Sequence, residues 1–373
     1  MFNSVVYRDF FSTPEMREIW SEKSTISAWL KTEKELAAAQ AEMNIISSEA
    51  ATALAAVTVD DINLEQLAES MMLVGRPIVG LVNQLRHYVG SAHAASIHFG
   101  TTTQDIMDTA TVLQMKEGFN HLFQLLENII AKLELLAAQH KTTRMIGRSN
   151  GQFAIQISFG LKVQFWINEL QRRIDAMKEA SRRGLLVQFG GPVGNLSAFD
   201  EETGSVLRKK LATRLSLNSS ALAWQNARDG IGDVVLSLGQ LSTSLEKIGH
   251  NINLLSSSEI SELYENPAKG NGASSSMAHK RNQRCSEFTE AIGRLVRGRA
   301  MQIGETAIHE HERSGGVWIS EWVIIPEVFL LTSGALKWTE SLFSTLEVDK
   351  FRMDENLKLA NELIDLRLSR ANK

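Results

Sequence analysis

The chain has 373 residues, 43% of them hydrophobic and 22% charged, with a formal net charge of −4. That composition is ordinary for a globular protein with a large core, and its mild acidity excludes the basic footprint of a nucleic-acid binder. A single cysteine, Cys285, excludes an internal disulfide framework and a cysteine-built zinc cluster, and it suits a reducing compartment, the cytoplasm.

The N-terminus lacks a signal peptide's basic start and apolar block. No apolar run approaches the roughly 18 residues of a membrane span, so no membrane partner is expected. The five prolines, Pro14, Pro77, Pro192, Pro267 and Pro326, leave room for very long helices.

Residues 14–46 read as helix. Thr13 is a candidate N-cap with Pro14 at the first helical position, and Ile19, Ile26, Trp29, Leu30 and Leu36 recur at helical spacing. Shorter helices are predicted over 60–69 and 78–89, separated by a loop at Gly75-Arg76-Pro77. Residues 98–105, His-Phe-Gly-Thr-Thr-Thr-Gln-Asp, are polar and read as a loop feeding a helix from about Asp105 to Gln139. A further long helix is predicted from Gln152 to Arg183, followed by the break Gly190-Gly191-Pro192-Val193-Gly194. Residues 229–257 are again helical in pattern.

Residues 266–281 hold three adjacent serines and read as a long flexible loop. Helices resume over 282–312 and 322–346, and the final stretch is charged and helical in character. The sum is an almost all-α chain whose middle consists of helices of about 30 residues, roughly 45 Å each. Such helices bury their apolar stripes against one another in a bundle, often between subunits. A structureless segment of about 15 residues inside a helical body is uncommon, and is functional or disordered. Its Gly and Ser content favours a solvated linker. Met277, His279 and Lys280 favour a loop that closes onto something.

Ala273-Ser274-Ser275-Ser276-Met277-Ala278-His279-Lys280-Arg281-Asn282 resembles the Gly-Ser-Ser-x-Met-Pro-x-Lys-x-Asn signature of the fumarase/aspartase superfamily. Ala273 and Ala278 replace its usual glycine and proline. Other segments resemble the family in the same order. Ser12-Thr13-Pro14-Glu15-Met16 looks like its first helix, and His98–Asp105 like its His-x-Gly-x-Thr-Ser-x-Asp region. Gly75–Val82, Gln188-Phe189-Gly190-Gly191, Trp224 with Arg228-Asp229, and Glu310-His311-Glu312-Arg313 look most like the 3-carboxy-cis,cis-muconate cycloisomerase branch.

The resemblance implies an all-α fumarase/aspartase fold in three parts. These are an N-terminal helical domain over 1–106 with the His98–Asp105 loop, a central long-helix bundle over 107–346 with the signature loop, and a short C-terminal remnant over 347–373. It implies a homotetramer whose sites each draw on three subunits, so that Ser274 of one chain faces His98 and Gln152 of others. It also implies a lyase without cofactor or metal, acting on a small polycarboxylate. A proton leaves the carbon beside one carboxylate, and an O or N group leaves its neighbour.

The chemical difficulty is the carbanion, whose charge preorganised cations and donors stabilise best. Lys280 and Asn282, ahead of a helix N-terminus, fit that demand. Ser274 matches the family's base and needs nearby positive charge to lose its proton; it also reads as a turn residue. Thr102, Thr103 and Gln104 match positions that hold substrate carboxylates, although Thr103 also suits capping of the following helix. His98 matches a family histidine near the leaving group, and histidine titrates where it can deliver a proton there. A lone histidine in a helical protein also serves structure.

Arg148-Ser149-Asn150-Gly151-Gln152 departs from the Thr-His-x-Gln of fumarases and adenylosuccinate lyases. Asn150 cannot act as an acid, so Asn150 and Gln152 stay as candidate substrate ligands. The glutamate that partners the missing histidine is present as Glu287, a candidate relay. Arg228 and Arg313 are candidate carboxylate ligands, Arg313 equally an ion-pair partner of Glu310 or Glu312. His309 and His311 do not share a helix face, so no metal site is expected.

The leading activity implied is that of a 3-carboxy-cis,cis-muconate cycloisomerase-like enzyme of aromatic-compound catabolism. The rival is a lyase releasing fumarate from an N-substituted aspartate or succinyl compound. Phe10-Phe11 stands where adenylosuccinate lyases carry a phosphate-binding Arg-Tyr pair. A non-catalytic structural homologue is the third reading.

Overall fold

The computed structural model describes residues 1–266, 272–277 and 279–371. A single turn, α1 (Arg8–Phe11), precedes α2 (Pro14–Ile19) and α3 (Glu22–Glu42). The expected 14–46 helix is therefore interrupted at Trp20-Ser21. The cause is a second N-cap: Ser21 Oγ accepts the Ser24 amide at 3.1 Å, as Thr13 Oγ1 accepts that of Met16 at 3.2 Å. Next come α4 (Ser48–Ala55), α5 (Leu64–Val74) and α6 (Pro77–Val89), then α7 (Thr103–Gln139), whose 37 residues span about 55 Å.

Residues 152–158, expected as the start of a long helix, form a strand. β1 (Arg144–Ser149) and β2 (Gln152–Ser158) pair antiparallel. Asn150 and Gly151 make the turn with φ of 49° and 73°, the paired left-handed conformation of a type I′ hairpin. Ser158 Oγ then caps α8 (Phe159–Gly184) through the Leu161 amide at 3.1 Å. α9 (Glu201–Leu215), α10 (Asp229–Leu255), β3 (Leu263–Glu265), α11 (Arg284–Met301) and the turn α12 (Ile303–Thr306) follow. The helix expected over 282–312 thus ends early, and residues 307–315 are irregular. α13 (Gly316–Thr345), β4 (Leu346–Val348) and α14 (Lys350–Ala371) complete the described chain.

α10 packs on α8, α11 and α13, and α7 packs on α3, α8 and α13. One continuous apolar core runs through these helices from Met16 to Met353. α13 corrects one expectation: by length and composition it passes as a membrane span, with a mean hydropathy of 1.4 over its most apolar window. Within the fold 67% of that window is buried. Its apolar surface is thus spent largely on the neighbouring helices. β3 pairs with β4, and α14 packs on β1, so the root of the hairpin, the signature loop and the C-terminal helix share one end of the bundle.

Candidate active site

The 98–105 loop is shaped by its backbone. Gly100 has φ of +69°, and a Cβ there would lie 2.2 Å from the Phe199 ring, so only glycine fits. His98 is also left-handed, with φ of 63°, a conformation that costs a non-glycine residue about 1–2 kcal/mol. It is held by Glu33, a buried carboxylate on α3, whose Oε1 lies 2.5 Å from His98 Nδ1. The carboxylate requires the hydrogen on Nδ1. Nε2 has no protein partner among the described residues and is left for chemistry.

Asp105, the last residue of the motif, is a structural knot. Its buried carboxylate accepts from Thr101 Oγ1 at 3.1 Å, the Thr102 amide at 3.0 Å, Gln188 Nε2 at 2.9 Å, and the Gly190 and Gly191 amides at 3.0 and 2.9 Å. Burial pushes this carboxyl up, against the pull of the donors. The result is a loop tied to the glycine-rich 188–191 segment.

Arg313 reaches this loop from the irregular segment before α13. Its Nη1 donates to Thr102 Oγ1 at 2.8 Å and its Nη2 to Thr103 Oγ1 at 3.0 Å. It forms an ion pair with neither Glu310 nor Glu312 among the described residues. The segment is fixed by Gln225 Nε2 donating to the Glu312 carbonyl at 3.1 Å and by Asn226 Nδ2 donating to that of His311 at 2.7 Å. Burial lowers the Arg313 pKa, Asp105 opposes this, and the neighbouring Arg76 guanidinium adds to it. Two hydroxyls, a guanidinium and the N-terminus of α7 therefore converge, the donor set that binds a carboxylate.

Two expected ligands are corrected. Gln104 is buried, and its Nε2 donates to Asp108 Oδ2 at 3.1 Å and to the Gln225 carbonyl at 2.9 Å. Arg228 is buried between two acids, with Nη1 and Nη2 on Asp108 at 2.7 and 3.1 Å and Nε on Glu321 at 3.0 Å. These acids outweigh the burial and raise its pKa. Both Nε2 hydrogens of Gln104 and four of the five N–H donors of Arg228 are used within the chain, so both side chains hold the framework.

The other predicted groups lie on two separate pieces. Asn150 and Gln152 are exposed at the hairpin tip. Arg148 turns back to the root, donating to both oxygens of the buried Glu262 at 3.1 and 2.7 Å. In the signature loop, residue 278 and residues 267–271 lie outside the described residues. Ala273 pairs with Arg281, and the Asn282 amide donates to the Gly272 carbonyl at 2.9 Å. Ser274 Oγ accepts the Met277 amide at 3.1 Å and the Ser276 amide at 3.4 Å. Lys280 is exposed and Asn282 half-buried.

Buried Glu265 accepts the Cys285 and Ser286 amides at 2.8 and 2.9 Å, capping α11 just beyond the loop. Burial and Glu265 push the Cys285 thiol up to about 12, so it is no nucleophile. Glu287 is exposed; partial burial and Glu265 push its carboxyl up, with Lys280 opposing. Among the described residues no hydrogen bond joins the 98–105 loop, the hairpin tip and the signature loop.

A lyase family profile matches residues 10–298. The chain belongs to the fumarase/aspartase lyase family. It is 33% identical to the N-acetyl-S-(2-succino)cysteine lyase of Enterococcus italicus, over 96% of this chain and 79% of that protein. It is 32% identical to the 3-carboxy-cis,cis-muconate cycloisomerase of Acinetobacter baylyi, over 97% of this chain and 81% of that one. The crystal structure of a fumarate lyase from Mesorhizobium sp. BNC1 superposes with a TM-score of 0.85 at 35% identity, covering 93% of this chain and 78% of that one.

In this lyase, sequence reasoning missed Glu33 and the Gln188–Gln225 pair that braces the Asp105 knot. Glu33 had a signal. It stands three residues after Leu30 and three before Leu36, on the apolar stripe of α3, and a lone acid on a core-facing stripe asks for a buried partner.

Proposed function

We propose that this lyase removes a proton from the carbon beside a substrate carboxylate and makes or breaks a C–O bond at the neighbouring carbon, in the manner of a 3-carboxy-cis,cis-muconate cycloisomerase. The observation that carries this reading is the Arg313, Thr102 and Thr103 cluster on the same loop as the Glu33-held His98. The cluster fixes one carboxylate of a small polycarboxylate by charge-assisted bonds. Ser274 takes the proton, its alkoxide supported by the Ser276 and Met277 amides and by the ammonium of Lys280. Charge developing on the adjacent carboxylate is met by Lys280 and Asn282. His98 delivers a proton through Nε2 to the leaving oxygen. No cofactor is required.

In this reading the three pieces meet between chains of a homotetramer in the cytoplasm, with Asn150 and Gln152 on the hairpin of a second chain and Ser274 on a third. Phe153 and Ile155, 39% and 75% exposed on that hairpin, are apolar surface such a contact would cover. A second reading, cleavage of a succinyl compound to fumarate, is favoured by the 33% identity to the N-acetyl-S-(2-succino)cysteine lyase. It uses the same groups on a different leaving atom.

A polycarboxylate panel followed by ultraviolet absorbance, with Ser274→Ala as control, separates the two. Loss of carboxymuconate absorbance is expected for the first and appearance of fumarate for the second. Silence across the panel, or full activity of Ser274→Ala, overturns both. A fully active monomer in analytical ultracentrifugation overturns the shared site.

A further inference from the structure

A cleft of about 500 Å³ lies beside the Arg313 cluster, walled by α3, α5, α6, α7 and α13. Four of the protein's seven tryptophans line it: Trp20, Trp29, Trp318 and Trp322. The two acids in its wall, Asp108 and Glu321, are both ion-paired with Arg228. The cleft is therefore an aromatic slot whose two carboxylates both face Arg228.

Two features ask for an occupant. The indole N–H groups of Trp20 and Trp322 are buried and have no acceptor among the described residues. Buried donors are costly unless something accepts from them. The second feature is Arg76, which directly precedes Pro77 in the cleft wall. Its guanidinium carbon lies 5.4 Å from the ring centre of Trp318 and 5.8 Å from that of Trp322. Its recorded hydrogen bond goes to the Gly75 carbonyl at 2.6 Å. No carboxylate pairs with Arg76 or Arg313 among the described residues, although the two cations stand close enough to repel. A half-buried guanidinium such as Arg76, with no ion-pair partner among the described residues, is a site for an anion.

We propose that this cleft binds a planar apolar group bearing a carboxylate, in the simplest case an aromatic carboxylate, as the non-reacting end of the substrate. The carboxylate sits on Arg76, the ring lies among the indoles, and an acceptor atom of the ligand meets Trp20 or Trp322 Nε1. The link to the substrate rests on the function proposed above; the binding chemistry does not.

The test titrates the full enzyme with benzoate, isophthalate, benzyl alcohol and succinate, reading tryptophan fluorescence and heat of binding. Benzoate and isophthalate should saturate. Benzyl alcohol lacks the charge and succinate lacks the ring, so each should bind at least about ten-fold more weakly, the worth of one charged or stacked contact. Arg76→Gln should weaken benzoate at least about ten-fold. Trp322→Phe should weaken it too.

Equal binding of benzyl alcohol and benzoate, unchanged binding in Arg76→Gln, or no saturation by either aromatic acid overturns the site. Benzoate should also compete with substrate in turnover, and binding without competition overturns the substrate assignment. Binding by an enzyme inert towards every polycarboxylate sinks the proposed reaction and upholds the cleft's chemistry.

Discussion

The 98–105 loop and the 272–282 loop both carry residues proposed for catalysis, and they are built in opposite ways. The first is tied into the protomer: five donors converge on the buried carboxylate of Asp105, Glu33 holds His98, and Arg313 bridges two threonines. The second is closed on itself by the Ala273–Arg281 pair and the Asn282-to-Gly272 bond, with Lys280 exposed. A binding surface gains from preorganisation, because donors fixed in advance need no reordering when charge arrives. A base proposed to approach its substrate gains from a loop bonded mainly to itself. The contrast lets stability and activity be separated by mutation.

Ser274→Ala should break activity and spare the fold. Turnover should fall by up to roughly 10⁴-fold, the upper range for a general base, with an unchanged urea midpoint. A comparable loss of stability would mean that the turn around Ser274 is structural. Arg228→Ala should do the reverse to the framework behind the first loop. Removing it strands Asp108 and Glu321 in the core, and about 3–5 kcal/mol of stability should be lost in urea unfolding. A loss under 1 kcal/mol would show that water reaches the acids. Glu33→Gln tests the middle of the range: a turnover drop of about ten- to hundred-fold with little change in KM is expected if Glu33 orients a working imidazole. No change would return His98 to a structural role.

The smallest effect concerns Glu287, beyond the second loop. Its folded carboxyl is shifted upward, chiefly by burial and then by Glu265. The ionised form is therefore disfavoured by folding, and that penalty is present above the folded pKa and vanishes as pH falls through it. Glu287→Gln should raise the urea midpoint slightly at neutral pH, with the gain fading in mild acid. A gain that grows on acidification would refute the assigned direction.

The sequence by itself determined most of the helices and the lyase family. Proline scarcity, the Thr13–Pro14 start and the apolar period of α7 and α10 are local signals, and a helix answers to neighbours three and four residues away. The signature around Ser274 and the polar 98–105 run were equally readable. The hairpin was legible too, since Asn150-Gly151 is a turn signal; the strong helical period beyond Phe159 drew the boundary across it.

Tertiary structure decided which polar groups are spoken for. Glu33 and His98 are 65 positions apart, and Arg313 and Thr102 are 211 apart. Arg228 looked like a substrate ligand until Asp108 and Glu321 closed on it. A charged side chain in sequence is indifferent between solvent, substrate and an internal counter-ion. Only burial forces the choice, because a charge taken out of water must find its partner within hydrogen-bonding distance, wherever the chain has brought one.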